Sequence, residues 1–380
     1  MTLTILQVIP NLGAGGAEQA CVDIAKGLVE RGDRALVVSA GGHRVAEAER
    51  AGGKHTLCNV HSKNPCVIVK NAFWLARFIR EHKVDIAHVR SRAPAWSVWL
   101  AVQMVPCRFV STFHAAYKYS SEFKKFYNRV MARADRIIAI SEFIAGYIRE
   151  SYGIGAEKIR VIPRGIDLTQ FEPENVTEDR RAALRDAWHI SAEQRVVLMP
   201  ARLSPIKGHR LLLKVMALLP ESVPQVVAVL VGDDQGREGY RRELEDMIRT
   251  ENLQDRVRLV PHCADMPAAY SLASVAVVPS QVPEGFGRVP VEAMAMGIPV
   301  IGSDLGALKE TVVHGKTGFL ASFDRPEAWK EALLRVLNGS KEDISMISKQ
   351  SMKRARENFD KQKMISLTLS VYDELMREGA

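Results

Sequence analysis

The chain of 380 residues lacks several things at once, and each absence removes a class of protein. No stretch reaches the ~18 consecutive apolar residues that a spanning helix needs. The N-terminal Met1-Thr2-Leu3-Thr4-Ile5 has no basic leader, and its short apolar run leads straight into Pro10, Asn11 and glycines. A first strand is expected there rather than a signal peptide, and the cytoplasm as location. Cysteines are few and odd in number (Cys21, Cys58, Cys66, Cys107, Cys263), so a disulfide scaffold is excluded and free thiols are expected. Cys58, His61 and Cys66 lie close in sequence, but their spacing matches no tetrahedral metal site. No Asp-x-Asp pair occurs anywhere, and the adjacent Asp233-Asp234 face different ways, so no carboxylate metal site is expected. There is no low-complexity tract and no repeat of solenoid period.

What is present is an ordinary globular composition, 47% hydrophobic and 25% charged, in a chain too long for one core. The net charge of +8 is unevenly spread. Residues 1–160 carry 23 Lys and Arg against 13 Asp and Glu, whereas the rest carries 29 against 31. A basic first half points to an anionic partner.

Apolar runs of strand length alternate with stretches of helical period. Strands are expected at Thr4–Ile9, Ala35–Ser39, Ile86–Val89, Phe109–Thr112 and Ile137–Ile140. After a polar, acidic interruption around Pro163–Pro173 they resume at Val196–Pro200, Val226–Val231, Arg256–Val260, Val275–Pro279 and Pro299–Ile301. Helices are expected at Gly16–Arg31, Lys207–Leu219, Gly239–Glu251, Arg288–Met296, Glu327–Leu337 and Lys361–Arg377. Continuous apolar strands alternating with helices imply parallel sheets covered on both faces. The fold class is therefore α/β, two doubly wound Rossmann-like domains with a cleft between them. In such sheets ligands bind at the carboxyl ends of the strands.

The motifs fall at those ends. Gly13-Ala14-Gly15-Gly16-Ala17-Glu18 follows the first strand and opens a helix, where backbone N–H groups can meet an anion. It is not the dinucleotide fingerprint, because Glu18 stands at the third glycine position and no acid follows the second strand. His114 follows the Phe109–Thr112 strand and reads either as a packing residue or as a cleft residue. Ser141 reads as a helix N-cap. Arg202 and Lys207 flank a strand-to-helix turn and could converge on a diphosphate, or could be solvated surface cations. The sharpest element is Glu284-Gly285-Phe286-Gly287-Arg288-Val289-Pro290-Val291-Glu292. It places one carboxylate in a loop and a second two turns into an otherwise apolar helix. A buried acid at Glu292 needs a partner, and a pair of sugar hydroxyls would serve. Val231-Gly232-Asp233 ends another strand and is expected to line the same pocket.

With these motifs the sequence resembles family 4 of the retaining glycosyltransferases, of GT-B fold, over nearly its whole length. A narrower likeness is to lipopolysaccharide-core mannosyltransferases of Gram-negative bacteria, through Arg90-Ser91-Arg92-Ala93-Pro94-Ala95-Trp96, Pro163-Arg164-Gly165, Val231 to Arg237 and Gly287 to Ala293. The resemblance implies a donor domain at residues 166–360, an acceptor-side domain at 1–165, and a helix at 361–380 that crosses back to the first domain. It implies that Glu284 contacts the sugar hydroxyls, Phe286 and Gly287 the phosphate region, and Glu292 the ribose. Arg202 and Lys207 would neutralise the leaving diphosphate, and His114 would stand by the sugar or the acceptor. Gly15 and Gly16 would border the phosphate, and Gly232, Asp233 and Arg288 belong with the donor-binding set. It implies no cofactor and no metal, only a nucleotide-sugar substrate, GDP-mannose before UDP-sugars. Two departures stand near the site: Arg164 where many relatives have Asn, and Arg288 where many have Leu or another apolar residue.

For the acceptor, residues 117–136 interleave six cations with five aromatics against two acids. An amphipathic helix there, with Lys118, Lys124, Lys125 and Arg129, suits either an anionic membrane face or plain solvent. No nucleic-acid motif accompanies it. The expected function is transfer of a hexose to a glycolipid, lipopolysaccharide-core or polysaccharide acceptor, on the cytoplasmic face of the inner membrane. A nucleotide-sugar epimerase and a non-catalytic nucleotide-binding protein are the competing readings.

Overall fold

The computed structural model describes residues 2–13, 15–117, 119–220, 223 and 225–378. The chain forms two compact units, Met1–Gly165 with Lys361–Ala380, and Ile166–Asp360.

The first unit is a seven-stranded, wholly parallel sheet: β1 (Thr4–Val8), β2 (Arg34–Ser39), β3 (Lys54–Leu57), β4 (Ile86–Val89), β5 (Arg108–Phe113), β6 (Arg136–Ala139) and β7 (Ile159–Val161), in the order β3-β2-β1-β4-β5-β6-β7. Leu6 of β1 sits opposite Leu36 on one side and Ala87 on the other. All five residues of β1 are buried, as expected of a strand covered on both faces. The crossovers are α1 (Gly16–Glu30), α2 (Val45–Arg50), α3 (Pro65–His82), α4 (Arg92–Val102), α5 (Glu122–Asn128) and α6 (Glu142–Tyr152). Ser141 does cap α6, its Oγ accepting from the Ile144 N–H at 3.1 Å.

The second unit repeats the plan with six parallel strands: β8 (Arg195–Pro200), β9 (Val226–Val231), β10 (Val257–Val260), β11 (Ala273–Val278), β12 (Val300–Ser303) and β13 (Gly318–Ala321), in the order β10-β9-β8-β11-β12-β13. Its helices are α7 (Glu178–Ala187), α8 (His209–Leu218), α9 (Glu238–Thr250), α10 (Met266–Leu272), α11 (Arg288–Ala295), α12 (Leu308–Thr311), α13 (Pro326–Leu337) and α14 (Lys341–Asn358). The helix expected over Lys207–Leu219 starts two residues later. Pro205–Lys207 forms a 3-10 turn, and Gly208, in a left-handed conformation, separates it from α8.

The chain ends in α15 (Lys361–Arg377), which packs in the first unit. Its Met364, Ile365, Leu369, Tyr372 and Leu375 join the core beneath α1. Buried His88 of β4 bridges Tyr372 Oη and Thr112 Oγ1, each at 2.7 Å. Glu374 accepts from Arg136 Nε at 2.9 Å and Arg160 Nε at 3.0 Å. No helix among the described residues is long and apolar enough to cross a membrane.

The long amphipathic helix expected over residues 117–136 is not formed. α5 has seven residues and runs into a 3-10 turn, Arg129–Arg133, whose Val130, Met131 and Ala132 are buried. The cause is local. Asn128 is buried and accepts from Arg92 Nη1 at 2.8 Å, and Ser111 Oγ donates to the Met131 carbonyl at 2.7 Å. These bonds draw the chain into the core before it enters β6.

Candidate active site

In the second unit β8 and β11 are neighbours in the sheet but lie on opposite sides of the order reversal, so the loops after them diverge and leave a crevice. The loop after β8 brings Lys207, at the end of its 3-10 turn. The loop after β11 brings Ser280 and Glu284. Lys207 Nζ meets Glu284 Oε1 at 2.6 Å, and Ser280 Oγ donates to the same oxygen at 2.5 Å. Both charged side chains are largely shielded, at 25% and 19% exposure, so the pair interacts more strongly than a surface ion pair. The Glu284 loop is held from the β12 side, where the Ala307 N–H donates to the Glu284 carbonyl at 3.0 Å. Only glycine fits at the contact point. Gly306 has φ +55°, and a Cβ there would come within 2.6 Å of that same carbonyl oxygen. Lys207, Ser280, Glu284, Gly287 and Arg288 line a cavity of about 190 Å³ floored by Met199 and Val277.

Glu292 lies one turn into α11 from Arg288 and is buried at 8% exposure. Protein groups meet both of its oxygens. Arg288 Nη2 stands 2.8 Å from Oε1, and Tyr270 Oη donates to Oε2 at 3.0 Å. Burial pushes the Glu292 carboxyl up, and the Arg288 charge and the Tyr270 hydroxyl pull it partly back. Phe286 turns its ring into the core, 5.6 Å from that of Phe359, which leaves its backbone and that of Gly287 at the entry of α11. Arg202 is exposed and does not line the cavity. Gly232 follows β9, and the Asp233 carboxylate accepts from the Gln235 N–H at 2.7 Å, closing its own turn. Neither lines the cavity.

In the first unit the order reverses between β1 and β4. After β1, Gly15 is the N-cap of α1 and Gly16 its first residue. After β4 come Arg90, buried with Nη2 donating to Gln7 Oε1 at 2.6 Å, and Arg92, stacked 4.2 Å over the Tyr117 ring. Neither residue stands out from spacing alone as a candidate site residue. The signal is positional, since Arg90-Ser91-Arg92 directly follows a strand and opens a helix.

His114 lies one residue past β5. Its Nδ1 accepts from Arg164 Nη2 at 2.7 Å, so Nε2 carries the proton, and that N–H has no partner among the described residues. Burial, then the Arg164 and Arg90 charges, hold the imidazole well below the usual histidine range. The ring is thus a neutral donor. Arg164 is what orients it.

Of the basic segment, Lys124 and Arg129 are exposed and Lys125 sits 5.4 Å from the Tyr119 ring centre. Lys118 lies outside the described residues. No group of three or more His, Cys, Asp or Glu among the described residues is placed to hold a metal ion.

Comparison with known proteins bears on the family and the fold. Residues 14–170 match the family described as Glycosyltransferase Family 4, and residues 180–355 match Glycosyl transferases group 1. A D-inositol 3-phosphate glycosyltransferase of Corynebacterium urealyticum is 30% identical over 304 residues, 74% of this chain and 70% of that protein. Two others of that name align over only about half their own length, 49% and 46%. A glycosyltransferase from Rickettsia africae superposes with a TM-score of 0.91 at 30% identity, over 99% of both chains. HepE of Anabaena, solved with UDP and glucose, superposes at 0.83 with 25% identity, over 98% of this chain and 99% of that one. With both parallel sheets and both halves matched, the chain belongs to the family 4 glycosyltransferases of GT-B fold.

Proposed function

We propose that the protein is a retaining, metal-independent hexosyltransferase whose donor site is built around the Lys207–Glu284–Ser280 set of the second unit. That set carries the reading: a shielded cation and a carboxylate fixed at the switch point of a parallel sheet. Glu284 contacts the sugar hydroxyls. Lys207 and, across the turn, Arg202 neutralise the diphosphate. The Phe286 and Gly287 backbone meets the phosphates at the head of α11. Glu292 binds the ribose and shares it with Arg288. Gly232 and Asp233 border the nucleotide. In the first unit the Nε2–H of His114 donates to a sugar or acceptor hydroxyl, and Gly15 and Gly16 offer backbone N–H groups to phosphate.

In the reaction the bond from the anomeric carbon to the diphosphate oxygen breaks as the acceptor oxygen bonds to the same face. The acceptor proton passes to the leaving oxygen. The protein stabilises charge and positions the partners, and supplies no separate base. The sequence favours GDP-mannose, but the solved relative HepE holds UDP and glucose at 25% identity, so a UDP-hexose is the first donor to test and GDP-mannose the second. The acceptor is a glycolipid, a lipopolysaccharide core or a polysaccharide, met at an anionic inner-membrane surface through the basic first unit.

A thermal-shift screen of UDP, GDP, ADP and their hexoses identifies the donor, because a ligand that binds only the folded state raises its melting temperature. With the donor known, Lys207→Ala and Arg202→Ala should lower kcat by about 100-fold or more while changing donor affinity only a few-fold. Matched losses in both would argue against leaving-group stabilisation. Epimer formation without any acceptor would make the protein an epimerase. Donor hydrolysis that persists unchanged in Glu284→Ala would remove Glu284 from the site, and no hydrolysis in the wild type would leave a nucleotide-binding protein.

A further inference from the structure

An apolar concavity of the first unit has no role in the donor chemistry proposed above. It is a groove of about 810 Å³ between α3, the first turn of α4 and α5, next to the carboxyl end of β4. Its volume lies within the roughly 300–1,000 Å³ of small-molecule clefts. Three of its walls are hydrophobic side chains left in water: Val69 at 47%, Phe123 at 79% and Phe126 at 53% exposure. Trp96 closes the inner side, its ring 5.5 Å from Phe126. Large apolar groups clustered at one exposed place mark a binding surface, whereas scattered ones do not.

The charged lining is of one sign. Lys63, Arg92 and Lys124 stand around the groove, and none of its lining residues is an Asp or Glu. Arg92 is held by Asn128 and by the Tyr117 ring, so its charge is fixed in place, with no carboxylate paired to it among the described residues. An apolar trough with uncancelled cations complements a hydrocarbon chain that ends in an anion. α5 is too short to lie along a bilayer as an amphipathic helix, so the match is to one molecule.

We propose that this groove binds a single anionic lipid, with its chain against Val69, Trp96, Phe123 and Phe126 and its head group at Lys63, Arg92 and Lys124. That lipid is the anchored acceptor of the transfer. The acceptor role rests on the transferase reading above, whereas the binding itself does not.

The probe is dodecyl phosphate kept below its micelle-forming concentration and titrated into the full-length protein by calorimetry. Saturable one-to-one binding is expected, at least ten-fold tighter than that of dodecyl maltoside, with none for inorganic phosphate. Phe126→Ser should weaken dodecyl phosphate at least ten-fold. Lys124→Ala should erase most of its advantage over the neutral amphiphile. Unchanged melting temperatures confirm that the variants fold, and Phe123→Ser replaces Phe126→Ser if the latter does not. The proposal is overturned if monomeric dodecyl phosphate does not saturate, or if the Phe variants bind it as the wild type does. It is equally overturned if inorganic phosphate competes at similar concentration, which marks a bare anion site, or if only anionic vesicles bind, which marks a bilayer surface. Donor hydrolysis by the wild type is followed in parallel. Hydrolysis without lipid binding removes the groove alone, and lipid binding without hydrolysis removes the transferase reading alone.

Discussion

Glu292 shows how much a residue's meaning depends on neighbours far away in sequence. As an acid on an apolar helix it calls for a partner, and the pattern suggests a ligand. Folding supplies two protein partners, Arg288 one turn before it and Tyr270 from α10. The carboxyl still sits above its usual range because burial outweighs both. The sign follows from linkage. Between the unfolded and the raised folded value the folded state holds a proton that the unfolded chain has lost, so acidification stabilises the wild type and ionisation destabilises it. Glu292→Gln mimics the protonated form. It should therefore melt no lower than the wild type at pH 7 to 8, with the difference shrinking as the pH falls toward 4. Nucleotide affinity should drop about ten-fold or more as the ribose contact is lost. A melting temperature lowered by several degrees would mean that the Arg288 pair outweighs desolvation. His114 carries the same lesson. Nothing in its surroundings in sequence names Arg164, 50 residues on, as the group that places its proton.

At the scale of elements, α15 decides how the first unit is finished. Its helical period is legible in Met364, Ile365, Thr368, Leu369 and Tyr372, but the surface it covers is not. Its seat is α1, and the close approach needs Gly27, where a Cβ would collide with Ile365 Cγ2. Ile365 is β-branched and stiff, so it cannot swing away. In an isolated helix Gly27→Ala would gain about 1 kcal/mol. Here the overpacking cost, about 1–3 kcal/mol, should outweigh that gain. Denaturant unfolding should show Gly27→Ala to be less stable than the wild type. Ile365→Ala should offset part of the loss in the double variant, because the two positions share one contact. A Gly27→Ala protein as stable as the wild type would mean that α15 sits more loosely than the contact indicates. The basic segment around α5 teaches the reverse. Its period and its charges were legible, but the tertiary bonds of Asn128 and Ser111 broke the helix at residue 128.

For the whole molecule, the pH dependence of stability rests on buried histidines in both units. His88 and His114 are held well below the usual range by burial, and His209 is lowered to about 4, again chiefly by burial. Each is neutral in the folded state and protonates near pH 6.5 once unfolded. Below that pH the unfolded chain gains protons that the folded one cannot, so stability falls as the pH drops. For His209 alone the window runs from about 6.5 to about 4 and is worth roughly 3 kcal/mol. Melting temperatures recorded from pH 8 to pH 4 should be level above pH 7 and decline steadily below 6.5. A flat profile down to pH 4.5 would mean that these rings are hydrated in solution. The Glu292 contribution runs the other way, and three histidines should outweigh it.

Local pattern by itself determined the two successions of parallel strands and the positions of the motifs after them. The reason is physical: a strand buried on both faces must be continuously apolar, and glycines and charges can gather only where it ends. Hence Ile86–Val89, Val226–Val231 and Lys361–Arg377 were legible to the residue, as was Glu284 as a loop residue after a strand. Short edge strands such as Lys54–Leu57 and Ile159–Val161 escaped, because edges are half-exposed and mixed in composition. Only the tertiary structure decided which charges meet. Lys207 and Glu284 are 77 residues apart, and strand order brings them within 2.6 Å, while Arg202, five residues from Lys207, is left in solvent. Pairing across a sheet is set by which strands become neighbours, and that is settled by the packing of the whole unit, which no local pattern encodes.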